Sequence, residues 1–225
     1  MWSRTGRSCR RTTAIPAEAE DGTGSTGTVL CPGCGAFVPS IAELRTAHVY
    51  VGAAPGCWAA YTKLIGRQLT EQGLAEARML SVDVYMAQHP GVPGRQASQS
   101  VWVHLIGLCL ALEHGFDGAA SARAKARAAA PDAIFDWLEP PASFGPITVL
   151  DVLATVTAGE HRAAVQRWAI SVWSAWAPYE DQIRKRARDL LGGGRCSHGD
   201  AGRVRWAGGS GRTAGNRGFR DRSRR

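Results

Sequence analysis

The stretch Gln96-Ala-Ser-Gln-Ser-Val-Trp-Val-His-Leu-Ile-Gly-Leu-Cys-Leu-Ala-Leu-Glu-His114 is apolar around almost its whole circumference, broken mainly by a polar line of Gln96, Ser100 and His104. A helix that is hydrophobic on nearly every side must be covered by other elements. The spacing therefore predicts a central, buried helix over 96–114. Its apolar part, Val101 to Leu112, is shorter than the roughly 20 residues needed to cross a bilayer and is interrupted by His104, so no membrane span is expected.

Further helices are legible on both sides of this one. Trp58, Tyr61, Leu64, Ile65 and Leu69 recur at helical spacing between Cys57 and Leu69, and a second helix is expected from Leu74 to about His89, where Pro90-Gly91 stops it. Asp117 begins an Ala/Arg stretch that ends before Pro131. After a Pro-rich connection from Glu139 to Pro146, Thr148 with Asp151 and Thr157 with Glu160 have capping-box spacing, in which each side chain reaches an otherwise orphaned backbone N–H. Val165, Trp168, Ala169, Val172, Trp173 and Trp176 then form a wide stripe that reads as core. Pro178 is placed to open a final basic helix to Leu191. With no internal repeat and no strand series, the expected fold class is all-α: a helical, bundle-like domain over 29–191.

The run Cys31-Pro32-Gly33-Cys34-Gly35-Ala36 introduces chemistry. Two thiols separated by two residues, with glycines that let the chain fold back, form the half-site of a zinc knuckle. Cys57 is the best third ligand, because a helix N-terminus favours thiolate. His48 is the nearest histidine, and the expected ligand set is Cys31, Cys34, Cys57 and His48 around a structural zinc, with the knuckle segment spanning 31–57. A redox dithiol is the competing chemistry, but it calls for a strand-helix-strand setting that is missing around these residues, and a metal-free turn is the third alternative. Cys109, inside the apolar run, reads as a small core residue.

A second constellation lies deeper in the domain. Ser81, Tyr85 and His89 fall four apart on one helix face with Gln88 beside them, while Asp83 points nearly opposite. If that face met the Gln96, Ser100 and His104 line, then Tyr85, His89, Ser100 and His104 would form a candidate catalytic or second metal-binding cluster, because imidazole titrates near neutrality. The plainer alternative is a set of hydrogen-bonded core polar groups, with Gly107 and Ala111 marking close approach by another helix.

Charge and the chain ends limit the function classes. The net charge of +8 lies mostly in residues 192–225, which carry nine Arg against Asp200 and Asp221, whereas 29–191 is neutral. Specific nucleic-acid binding by the folded part is therefore not expected, although the tail could hold acidic polymers without specificity. Composition predicts disorder for 1–28 and 192–225, which hold Cys9 and Cys196. A basic start without an apolar run gives no secretory signal, so a cytoplasmic protein with reduced cysteines is expected. Gly-rich phosphate loops, Gly-x-Ser-x-Gly elbows and His-Glu-x-x-His helices are absent from the sequence.

The order Cys31-Pro-Gly-Cys-Gly-Ala, His48-x-Tyr50, Pro55-Gly-Cys57-Trp58, Asp83-x-Tyr85-x-x-Gln88-His89-Pro-Gly, Gln99-Ser100 with His104-Leu105, and Trp173-x-x-Trp176 resembles a small uncharacterised bacterial family known only as a domain of unknown function. The likeness runs from about Leu30 to Leu191. It implies one domain with a deliberate Cys/His set and contributes no activity or substrate. In that family's pattern a histidine often stands where this chain has Arg78, a departure that weakens a catalytic reading of the Tyr85 and His89 face. Three functions are thus expected in descending order: a zinc-stabilised helical interaction or regulatory module with a protein partner, a small metal-dependent enzyme using the Tyr/His/Ser cluster, and nucleic-acid binding through the basic tail.

Overall fold

A computed structural model describes residues 27–41, 50–130 and 133–192. The expectations for His48, Cys9 and Cys196, and for residues 1–26 and 193–225, fall outside these. Among the described residues the chain runs β1 (Thr28–Leu30), β2 (Phe37–Pro39), α1 (Pro55–Thr70), α2 (Arg78–Gln88), α3 (Arg95–His114), α4 (Gly118–Ala128), α5 (Val149–Leu153), α6 (Ala158–Ala175) and α7 (Glu180–Gly192). The all-α expectation holds, with one small antiparallel hairpin added at the knuckle, where Val29 faces Val38 and Leu30 faces Phe37. No helix among the described residues is long and apolar enough to cross a membrane.

The helix ends follow local chemistry closely. Both capping boxes form: Thr148 caps α5 with Asp151 in return, and Thr157 caps α6 with Glu160 in return. Asp117 caps α4 by accepting from the Ala120 N–H at 2.7 Å. Gly115, at φ 65°, ends α3 in the left-handed conformation that a residue without a Cβ adopts at little cost. Two boundaries differ from expectation. The helix foreseen from Leu74 begins as a 3₁₀ turn, Ala75–Ala77, before α2 proper, and Pro178 lies in a 3₁₀ turn, Ala177–Tyr179, that precedes α7. Short 3₁₀ turns are a common way for a helix to start when the chain must change direction.

As its pattern requires, α3 is central and packs against α2, α4, α6 and α7. Val101, Leu105, Ile106, Leu108, Cys109 and Leu110 on it are buried, which confirms Cys109 as a core residue. Large apolar side chains buried in this way contribute on the order of 1.5–3 kcal/mol each. The α6 stripe is core as expected, and two of its tryptophans also fix the end of α2. Trp168 donates its indole N–H to Gln88 Oε1 at 2.9 Å, and Trp176 donates to the Ala87 carbonyl at 3.1 Å. The residue that follows this anchored end is His89.

Candidate metal centre

The knuckle is a tight reversal between β1 and β2. The Cys31 N–H donates to the Ala36 carbonyl at 2.8 Å and the Gly35 N–H to the Cys31 carbonyl at 2.9 Å, so both thiols of the turn project to one side. Gly35 takes φ 72° to complete the turn, a conformation for which glycine is suited. Cys57 is the third residue of α1, which opens with Pro55 at a position where its missing N–H does no harm. Free N–H groups and the positive end of the helix dipole favour thiolate there.

His89 stands at the C-terminal end of α2. Pro90 pairs with Val51 in an isolated bridge, and the Gly52 N–H donates to the His89 carbonyl at 3.1 Å. The His89 Nδ1–H donates to the Tyr85 carbonyl at 2.8 Å. A carbonyl can only accept, so Nδ1 carries a proton and Nε2 is the nitrogen turned towards the cysteines, able to bind a metal once its own proton is displaced.

Cys31, Cys34, Cys57 and His89 bring their ligand atoms within 4.8 Å of one another. Cys34 Sγ lies 3.8 Å from Cys57 Sγ, and Cys57 Sγ lies 3.3 Å from His89 Nε2. A tetrahedral ion with bonds of about 2.3 Å to sulfur and 2.0 Å to nitrogen separates two sulfurs by about 3.8 Å and sulfur from nitrogen by about 3.5 Å. The spacing fits such an ion and is far too long for a disulfide; all four described cysteines are free thiols. Cys31, Cys57 and His89 are at most 1% exposed, and Cys34 is half-buried.

Without a cation the protons at this centre compete. Hydrogen bonds with Cys34 and Cys57 hold the Cys31 thiol far below its ordinary range, while hydrogen bonds with Cys31 and Cys34, reinforced by burial, keep Cys57 protonated far above it. Burial opposes a charged imidazole at His89, yet hydrogen bonds to the Cys31 and Cys34 sulfurs outweigh it and raise its pKa to about 9. One buried thiolate is tolerable there and three are not, unless a cation joins them.

The surroundings orient the ligands. The Ala54 N–H donates to Cys31 Sγ at 3.4 Å and the Tyr85 hydroxyl to Cys57 Sγ at 3.6 Å. Burial, with the neighbouring Cys57 sulfur, pushes the Tyr85 phenol well above its usual range, so it remains a donor. Tyr85 stacks on His89 with ring centroids 4.0 Å apart and on Tyr61 at 3.9 Å.

Cys31, Cys34 and Cys57 of the expected set meet here, and His89 joins them; His48 lies outside the described residues. The candidate cluster of Tyr85, His89, Ser100 and His104 does not assemble. Tyr85 and His89 serve the cysteine side of α2, whereas His104 on α3 donates from Nδ1 to Asp83 Oδ1 at 2.8 Å on the opposite side, and Ser100 stays half-buried one turn away. The physical reason is rotation: Asp83 points away from the Tyr85 face, and α3 packs against the Asp83 side. Lys125 of α4 completes that second group, with Nζ 2.5 Å from Asp83 Oδ1. Gly107 leaves room for the carboxylate, since a Cβ there would lie 2.7 Å from Asp83 Cγ. Cys109, Glu113 and His114 also lie close together, but Glu113 is engaged by Arg184 at 2.7 Å.

A family model described as a family of unknown function, DUF5946, matches residues 29–177 and so spans all four residues of the centre. No curated protein and no solved structure matches the chain.

Proposed function

The chain belongs to the DUF5946 family of unknown function, and from that premise we propose that it is a zinc-stabilised helical module with an interaction or regulatory role rather than an enzyme. The observation that carries this reading is the closed ligand set. Four protein groups at tetrahedral spacing, three of them almost wholly buried, leave no coordination position for a substrate or a reactive water. Three thiolates and an imidazole form a soft donor set that suits zinc. The ion would join the hairpin, the start of α1 and the end of α2, adding a cross-link to the packing of Val38, Tyr61 and Tyr85.

Its chemistry when bound would be charge neutralisation and cross-linking. The chain's own residues do the rest: Tyr85 and Ala54 donate to the sulfurs, the Tyr85 carbonyl fixes the imidazole, and Trp168 and Trp176 hold the end of α2 in place.

The test is metal analysis of the full-length protein by mass spectrometry, followed by chelation. One zinc per chain is expected, with its removal loosening residues 28–39 and 50–57 in hydrogen exchange and lowering thermal stability. Protein that purifies metal-free and is equally stable with added zinc would overturn the reading.

A further inference from the structure

We infer that the centre is a peroxide-responsive switch in which Cys34 is the residue attacked and Cys57 the residue that resolves it, releasing the metal. This inference rests on the zinc reading above and adds a regulation to it.

The four ligands are not equivalent. Cys31, Cys57 and His89 are sealed in the core, while Cys34, at the outer side of the knuckle turn, is half-buried. Cys31 Sγ receives the Ala54 N–H and Cys57 Sγ receives the Tyr85 O–H. Both sulfurs are thereby held inside the core. Cys34 Sγ has the Cys57 sulfur as its neighbour, at 3.8 Å. Access thus singles out Cys34, and a second sulfur stands within reach of it.

The chemistry balances with hydrogen peroxide as the oxidant. The Cys34 thiolate attacks one peroxide oxygen, the O–O bond breaks, and Cys34 becomes a sulfenic acid with release of hydroxide. The Cys57 thiolate then attacks the Cys34 sulfur, the S–O bond breaks, a second hydroxide leaves, and the disulfide forms. Two sulfurs have lost two electrons and one peroxide has gained them. Zinc is left with Cys31 and His89, too few ligands to retain it, and the hairpin loses its tie to α1 and α2.

The experiment uses full-length, zinc-loaded protein carrying Cys9→Ser and Cys196→Ser, exposed to stepwise hydrogen peroxide in the presence of a colorimetric zinc chelator, with disulfides mapped by peptide mass spectrometry. The expected result is release of one zinc per peroxide consumed, a Cys34 to Cys57 disulfide, and recovery of zinc binding after dithiothreitol. Brief N-ethylmaleimide labelling of the loaded protein should modify Cys34 before Cys31, Cys57 or Cys109. Zinc that stays bound under peroxide, a Cys31 to Cys34 disulfide, or first labelling at Cys31 or Cys57 would overturn the switch while leaving the zinc reading intact. Absence of zinc from the starting protein would instead remove that reading, and the switch with it.

Discussion

Gly33 closely approaches His89: a Cβ on Gly33 would sit 2.5 Å from His89 Cδ2 and 2.7 Å from the Gly52 carbonyl oxygen. The knuckle turn and the end of α2 meet through that missing side chain. Gly33→Ala should therefore push the turn off the imidazole and destabilise the zinc-loaded protein by about 1–3 kcal/mol, the usual range for overpacking. Thermal unfolding should show the loss in loaded protein and little of it after chelation. Gly35 is the contrast: its Cβ would meet nothing within 4 Å, but φ is 72°. Gly35→Asn should be tolerated better than Gly35→Ala, because Asn accepts the left-handed region more readily.

Ligand identity is separable by substitution. His89→Ala should reduce bound zinc from one per chain towards none, as should Cys57→Ser, whereas His48→Ala should leave the stoichiometry unchanged. Metal analysis after extensive dialysis checks the set. Zinc retained by His89→Ala and lost by His48→Ala would restore the assignment expected from sequence.

The Tyr85 hydroxyl on Cys57 Sγ is a supporting contact rather than a ligand. Tyr85→Phe keeps the stacking on His89 and Tyr61 and removes the donor alone. Zinc should still bind at one per chain, with affinity lowered about 10- to 100-fold, the range found for such partners of a ligand. Competition with a chelator of known affinity measures the change.

His161 offers a pH test away from the cysteine cluster. It is fully buried between Gln68, 2.9 Å from its Nε2, and Thr155, 3.1 Å from its Nδ1. Burial, aided by the Arg67 charge, holds its pKa below the ordinary histidine range. Below about pH 6.5 the unfolded chain therefore takes up a proton that the folded chain resists, so this group's contribution to stability falls as pH drops, by up to about 1.4 kcal/mol per unit. His161→Gln should accordingly destabilise the protein more at pH 7.5 than at pH 5.5 in urea titrations. A cost that does not change with pH would refute the buried neutral imidazole.

The Asp83 group predicts a charge effect. Asp83 is 1% exposed and Lys125 7% exposed. Lys125→Met leaves a buried carboxylate supported mainly by His104, and should cost about 3–5 kcal/mol. Asp83→Asn together with Lys125→Met removes both formal charges and should recover part of that loss. A urea double-mutant cycle reads the coupling.

Much of this architecture was legible because the determining interactions are local. Thr148, Thr157 and Asp117 cap helices within three residues of themselves, and the all-round apolarity of 96–114 requires a central helix whatever its neighbours are. The knuckle Cys31-Pro-Gly-Cys34 and the placement of Cys57 at a helix start were readable for the same reason. The place of His89 beside them was not. Nothing in spacing distinguishes His89 from His48, because the meeting of His89 with Cys57 depends on Pro90 pairing with Val51 and on Trp168 and Trp176 gripping the end of α2. The four-residue cluster failed for a related cause: a shared face on α2 does not reveal which neighbouring helix covers it.

The sequence by itself determined the helices, their caps, the knuckle reversal and the candidacy of Cys31, Cys34 and Cys57, since each follows from contacts within a turn or two of chain. Only the tertiary structure decided that His89 stands with the three cysteines and that His104 pairs with Asp83. Those pairings depend on the rotation and docking of whole helices, which packing of the full core sets and no short stretch of sequence encodes.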